Sequence, residues 1–308
     1  LARTMQEDLD AATEALADPG RSRIHVILAT SALHMEKKLG LEPREVVEKA
    51  RWAVEYVAPL VDEVEFSCED ATRSDPGFVA QVCRVAIAAG ATIINLPDTV
   101  GYSLPAEYAG FLADVRRRCP EIRGVTLSVH CHNDLGLAVA NSLAGIEAGA
   151  QQVECTVNGI GERAGNASLE EIVMALNVRS DQFGIETGIN TTEITAASRL
   201  VSALTGYLVQ PNKAVVGANA FAHEAGIHQD GMLKDARTYQ IMDPSDVGVR
   251  MTLPLGKHSG RHAFARACAE RGLALEGEEL NAAFRRFKVR ADAGGAVSFD
   301  DFNEEVLA

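Results

Sequence analysis

The feature of this 308-residue chain that most limits its fold is a repeated alternation of short apolar runs with amphipathic stretches. Ile24 to Ala29, Val61 to Phe66, Thr92 to Leu96, Thr126 to Val129 and Gln152 to Val157 read as strands, each followed by a helical pattern. Two helix ends nearly copy one another, Ala88-Ala89-Gly90-Ala91-Thr92-Ile93 and Glu147-Ala148-Gly149-Ala150-Gln151-Gln152. Gly90 and Gly149 there suit the left-handed position that closes a helix before the next strand. The chain is therefore read as serial βα units around a parallel sheet.

Polar residues gather where these strands end: Ser67-Cys68-Glu69-Asp70, Pro97-Asp98-Thr99, His130-Cys131-His132-Asn133-Asp134 and Asn158-Gly159. A (β/α)8 barrel collects its chemistry at those C-terminal ends, but so does a doubly wound sheet, and this pattern alone leaves both open. Five full strands plus a strand remnant at Leu1-Ala2-Arg3 fall short of the eight that close a barrel. The expectation is an α/β chain: a TIM barrel lacking its first strands over residues 1–208, then a mainly helical accessory region over 209–308. Helical patterns at Thr191 to Leu208, His262 to Arg271 and Glu278 to Val289 flank a Gly/Ala/His-rich stretch, Gly217 to Gly231.

Charge narrows the partners. Twenty-nine Lys and Arg against 43 Asp and Glu give −14, a field that repels nucleic acid and anionic membranes. No apolar run approaches the roughly 18 residues of a membrane span, and Leu1-Ala2-Arg3-Thr4 does not read as a signal peptide, so a cytoplasmic protein is expected. Six irregularly spaced cysteines with no Cys-x-x-Cys read as reduced thiols that fill the core.

His130 and His132 stand at i and i+2 as a strand ends, so both imidazoles leave one face and can address one cation. His-x-His alone fits metal binding and two satisfied polar histidines about equally. Asn133-Asp134 is placed to cap a helix whose apolar face runs Leu135, Val139, Leu143. The loop Asn158 to Asn166 has glycines at the wrong spacing for a dinucleotide fingerprint; they are read as letting backbone approach a ligand, with Asn166 as an oxygen donor. Glu69 is either a general base or an acid opening a helix-like segment at Glu69-Asp70, and His25 inside an apolar strand reads first as a core histidine. In His223-Glu224-Ala225-Gly226-Ile227-His228 the second histidine comes at i+5, which breaks the zinc-protease pattern; the segment is read as a loop delivering His228. Gly256-Lys257-His258-Ser259-Gly260-Arg261-His262 is a cationic loop, read as a solvated turn rather than a phosphate site.

In order along the chain, Ile24-His25-Val26 to Ala29-Thr30-Ser31, Val64-Glu65-Phe66-Ser67 with Glu69-Asp70-Ala71, and Leu96-Pro97-Asp98-Thr99-Val100-Gly101-Tyr102 carry a resemblance. It continues through Ser128-Val129-His130-Cys131-His132-Asn133-Asp134-Leu135-Gly136, Asn158 to Asn166, His223 to Gly231 and Gly256 to Arg261. The chain resembles the 2-isopropylmalate synthase family, aldolase-like TIM barrels that also include homocitrate and citramalate synthases. The resemblance implies condensation of acetyl-CoA with 3-methyl-2-oxobutanoate in leucine biosynthesis, with a divalent metal, Mn2+, Mg2+ or Zn2+, as cofactor. It implies His130, His132 and Asn166 as metal ligands, with His25, Ser67 and Thr99 around the 2-oxo acid. Glu69, His228 and Tyr239 are implied in proton removal, and a homodimer in which His228 acts on the partner's site.

Two departures accompany it. The family's Arg-Asp-Gly, whose Asp completes the metal site, occurs nowhere here, so a weakly binding, weakly active or inactive chain is expected. The leucine-sensing domain is also missing, and no feedback inhibition is expected. A citramalate or homocitrate synthase, and a non-catalytic remnant that only dimerises, are the alternatives.

Overall fold

A computed structural model describes residues 1–16, 22–223, 225–249, 259–269 and 272–292. The chain divides into two compact units, Leu1–Ile172 and Val173–Ala308. Among its described residues the first holds six strands: β1 (Ala2–Arg3), β2 (Arg23–Ala29), β3 (Glu63–Glu69), β4 (Ile93–Asn95), β5 (Thr126–His130) and β6 (Gln152–Glu154). Every pairing is parallel and the spatial order is the sequence order. That order resolves the two architectures left open above. A doubly wound sheet reverses its strand order at a switch point, whereas a barrel advances one strand at a time, and this sheet never reverses. Leu1-Ala2-Arg3 does form a strand, pairing Ala2 with Val26 and Arg3 with Ile27.

The helices that return the chain between strands are specified locally. Pro43–Val57 begins with Pro at its first turn, where the missing N–H costs nothing, and Glu45 Oε2 accepts from the Glu42 N–H at 2.8 Å. Its stripe Val46, Ala50, Ala53, Val54 and Val57 is buried, each valine contributing about 1.5–3 kcal/mol of transfer free energy. Pro76–Ala89 starts on Asp75, whose side chain accepts from the Phe78 N–H at 2.8 Å, and stops at Gly90 with φ +117°. Gly149 follows the next homologous helix end with φ +97°, so both glycines sit in the left-handed region that their repeated sequence predicts.

Among its described residues the second unit contains helices and no strand: Ser180–Phe183, Ile194–Thr205, Gly226–Lys234, Arg261–Ala269 and Gly277–Asp292. The last two pack Phe264 and Cys268 against Ala283, Phe287 and Ala291, with Phe264 and Phe287 stacked at 5.2 Å. No helix among the described residues is long and apolar enough to cross a membrane.

Three local expectations change. Glu69 closes β3 instead of opening a helix, and Asp70 turns the chain with φ +60°, its carboxylate buried against Arg73 at 2.8 Å. His228 lies within the helix Gly226–Lys234 and not on a loop. The helix after His132 starts only at Ala138, capped by Asn133 Oδ1 at 3.1 Å, while Leu135 is left exposed and Asp134 pairs with Arg163. Of the cationic loop, residues 256–258 lie outside the described residues.

Candidate metal and oxo-acid site

Alternate residues of a strand face opposite ways, so the parallel register sorts the sheet into an apolar face and a polar one. His25 lies beside Glu65, Ser67 beside Asn95, Asn95 beside Ser128, Ser128 beside Gln152, and His130 beside Glu154. These groups bond to one another across the strands. Asn95 Nδ2 donates to Ser128 Oγ at 3.2 Å, and Gln152 Nε2 donates to Ser128 Oγ at 2.8 Å and Glu65 Oε1 at 2.9 Å. Arg23 Nη1 donates to Glu65 Oε2 at 3.0 Å and Gln152 Oε1 at 2.7 Å. The almost fully buried Glu65 carboxylate is thereby neutralised and hydrogen-bonded, as a buried charge must be.

At the C-terminal end of β5 the two imidazoles converge, His130 Nε2 lying 3.1 Å from His132 Nε2. Two nitrogens that share a cation at about 2.1 Å each stand roughly 3–3.4 Å apart, so this spacing fits a pair of ligands. Cys131 between them is buried on the other side, where burial pushes its thiol up to about 12, so it stays a protonated core residue. Burial also lowers the His132 pKa, with His130 and Arg163 adding to it, which favours the neutral imidazole that binds metals.

Asn166 reaches the same place because the loop before it folds over its side chain. A Cβ at Gly161 would stand 2.2 Å from Asn166 Nδ2, and one at Gly165, φ +89°, would stand 2.0 Å from the Gly159 carbonyl oxygen. The glycines thus serve packing within the loop, rather than approach to a ligand as the sequence reading has it. Asn166 bridges backbone with His132 and donates Nδ2 to the Ile160 carbonyl at 3.0 Å, which leaves Oδ1 buried with no hydrogen-bond partner. Arg163, at φ +58°, pins the loop through Asp134 and the Thr99 carbonyl. An orphaned oxygen and two converging imidazole nitrogens are a donor set that suits a divalent cation.

Of the other predicted residues of the first unit, His25 lies within β2, Ser67 within β3, Glu69 at the end of β3 and Thr99 just after β4. His25 Nε2 is 2.7 Å from Ser67 Oγ, which makes the two one hydrogen-bonded unit. Thr99 Oγ1 accepts from the Asp70 N–H at 2.9 Å, so the hydroxyl proton is free to be donated elsewhere. Glu69 Oε1 is held by Lys38 Nζ at 2.5 Å, with His34 Nδ1 at 3.6 Å. His228 and Tyr239 belong to the second unit, where their rings lie 4.5 Å apart.

Sequence reading passed over Glu154, Glu65 and Lys38. Glu154 Oε2 approaches His130 Nδ1 to 2.8 Å, a close contact that falls short of an aligned hydrogen bond. Its Oε1 lies 3.4 Å from His25 Nδ1. Burial opposes the Glu154 charge, but the contact with His130 and the field of both histidines hold its pKa below the usual glutamate value. His25, Glu65 and Glu154 bring ligand-type atoms within 4.8 Å of one another. The donors from Arg23 and Gln152 already occupy Glu65, so this cluster is a hydrogen-bonded network rather than a second cation site. The available signal was Gln152 and Glu154 at alternate positions of a short strand, two polar residues on the face that also bears His130.

Residues 1–201 match the HMGL-like family model, and residues 215–295 match the model described as homocitrate synthase post-HMGL domain-like. The chain is 55% identical over 311 residues to the 2-isopropylmalate synthase of Acidovorax ebreus, covering 100% of this chain and 60% of that protein. It is 57% identical over 293 residues to that of Pyrococcus furiosus, covering 95% and 59%. The chain therefore spans about 60% of the length of these curated relatives. Among solved structures, hydroxymethylglutaryl-CoA lyase from Pseudomonas aeruginosa superposes with TM-score 0.57 at 21% identity, over 66% of this chain and 68% of that one, a likeness of fold.

Proposed function

Since the chain belongs to the HMGL-like family and its named relatives are 2-isopropylmalate synthases, we propose that it is the catalytic-barrel portion of such a synthase. The reaction is condensation of acetyl-CoA with 3-methyl-2-oxobutanoate, followed by hydrolysis of the thioester. We place the barrel portion at residues 1–208 and the accessory portion at 209–308. The observation that carries this reading is the convergence of His130 and His132 beside the unpartnered Asn166 oxygen.

In this proposal His130, His132 and Asn166 hold a divalent cation, Mn2+ or Mg2+ first and Zn2+ as a third choice. When bound there it supplies Lewis-acid polarisation of the oxo carbonyl. His25 and Ser67 line the oxo-acid pocket, and Thr99, whose hydroxyl proton is uncommitted, donates to the substrate carboxylate. Glu69 takes the weakly acidic methyl proton of the thioester, and Lys38 holds that carboxylate in place until then. His228 and Tyr239, one ring pair, assist this proton movement, in a homodimer from the partner subunit.

Release of CoA thiol from acetyl-CoA with Mn2+ and a panel of 2-oxo acids tests the proposal, on this chain and on one extended to the relatives' length. Turnover by the extended protein with preference for 3-methyl-2-oxobutanoate is expected. Preference for pyruvate or 2-oxoglutarate would instead assign a citramalate or homocitrate synthase. Silence from well-folded extended protein with every acid would overturn the enzymatic reading.

A further inference from the structure

Glu154 has no part in the functional reading above, and its two carboxylate oxygens nevertheless go to two different residues of the proposed site. Oε2 lies 2.8 Å from Nδ1 of His130, its neighbour across the β5–β6 register, and Oε1 lies 3.4 Å from Nδ1 of His25. Each histidine consequently turns its other nitrogen toward the chemistry: His130 Nε2 toward His132 Nε2, and His25 Nε2 toward Ser67 Oγ. We propose that Glu154 is a positioning residue that selects the tautomer of both histidines, aiming His130 at the cation and His25 at the oxo-acid pocket.

An imidazole has two distinct nitrogens, and the group beside one decides which of them carries the proton. A carboxylate facing Nδ1 favours the Nδ1–H form and leaves Nε2 as a lone pair; outer contacts of this kind typically govern metal affinity by about 10- to 100-fold. A purely structural account of Glu154 would have it neutralise Arg23, a cation of the polar face. Arg23 is already paired with Glu63 at 2.8 Å and Glu65 at 3.0 Å, and it also donates to Gln152. The Glu154 carboxylate is half-enclosed, with one oxygen left to each histidine.

This inference rests on the assignment of His130 and His132 as cation ligands, so the test separates the two. Mn2+ is titrated into the chain and followed by the EPR signal of the free ion, for wild type, His132→Ala, Glu154→Gln and Glu154→Ala, with near-UV circular dichroism as a check of folding. Loss of binding in His132→Ala is expected, with Glu154→Ala weakening Mn2+ up to about 100-fold and Glu154→Gln about tenfold, because an amide oxygen still accepts from one imidazole. A folded Glu154 variant that binds Mn2+ as wild type does, while His132→Ala has lost it, would overturn the positioning role alone. Equal Mn2+ binding by wild type and His132→Ala would overturn the ligand assignment itself and this inference with it. Should Glu154→Ala not fold, the Glu154→Gln comparison decides.

Discussion

Along β3 the side chains of Val64, Phe66 and Cys68 pass to one face of the sheet, and those of Glu65, Ser67 and Glu69 to the other. The first set is buried against helices and keeps no polar atom that needs a partner beyond a thiol. In the second set Glu65 and Ser67 are nearly as buried, at 2% and 3% exposure, but are tied to other strands by hydrogen bonds and ion pairs, while the partly buried Glu69 is held by Lys38 from the helical segment after β2. The apolar face gains stability from area and close packing, so its residues are interchangeable in kind and demanding in volume. The polar face gains little net stability from its bonds, but each bond fixes a position. The contrast teaches that one strand can serve both purposes because its period of two keeps them apart.

The largest effect on stability is expected on the apolar face. Phe66→Ala empties a fully buried site and should destabilise the chain by about 3–5 kcal/mol, read from urea unfolding. A loss under about 1 kcal/mol would show that the helices collapse into the gap and that the packed face is looser than drawn. Next comes the loop over Asn166. Gly165→Ala places a methyl 2.0 Å from the Gly159 carbonyl at a φ of +89°, and a cost of roughly 1–3 kcal/mol is expected, together with weaker Mn2+ binding as Asn166 shifts. Unchanged Mn2+ affinity would remove Asn166 from the ligand set.

On the polar face a smaller effect is expected. Ser128→Ala deletes the hydroxyl that accepts from Asn95 and Gln152, yet both amides keep Glu65 Oε1 as an acceptor, at 3.4 and 2.9 Å. A cost near 1 kcal/mol in thermal unfolding is expected, with Mn2+ affinity unmoved because Ser128 lies one pleat below His130. A tenfold loss of Mn2+ binding would mean that the network and the histidine pair form one unit.

How far the sequence anticipates this depends on whether a feature is local. The alternating runs, the paired Gly90 and Gly149 helix ends and the short strand Ala2–Arg3 are local patterns, and the structure has them. The His-x-His convergence follows from strand period alone. What the pattern left open was set by strand order, which is non-local, and it took the uniform advance from β1 to β6 to separate a barrel from a doubly wound sheet. Glu154 was illegible for the same reason. Its meaning lies in two neighbours 24 and 129 positions away, His130 and His25, and no spacing within its own strand records them. Glu69 was misplaced because acids suit a helix start as readily as a strand end, and only the left-handed turn at Asp70 decides between them.

The smallest stability effect is expected at the residue with the largest effect on binding. His132 holds a ring nitrogen 3.1 Å from that of His130, and its own Nδ1 is buried without a hydrogen-bond partner. The second costs free energy because a desolvated polar atom goes unpaired, and the first is a hydrogen bond worth little net stability. His132→Ala removes them along with some packing, and the two changes should cancel to within about 1 kcal/mol in thermal unfolding with EDTA present. In Mn2+ the outcomes should separate: a ligand that binds only the native state raises the wild-type midpoint as its concentration rises, and His132→Ala should show no such rise. If the substitution instead cost several kcal/mol in EDTA, His132 would belong with the packed face after all, and the division of labour between the two faces of the sheet would fail at its most informative position.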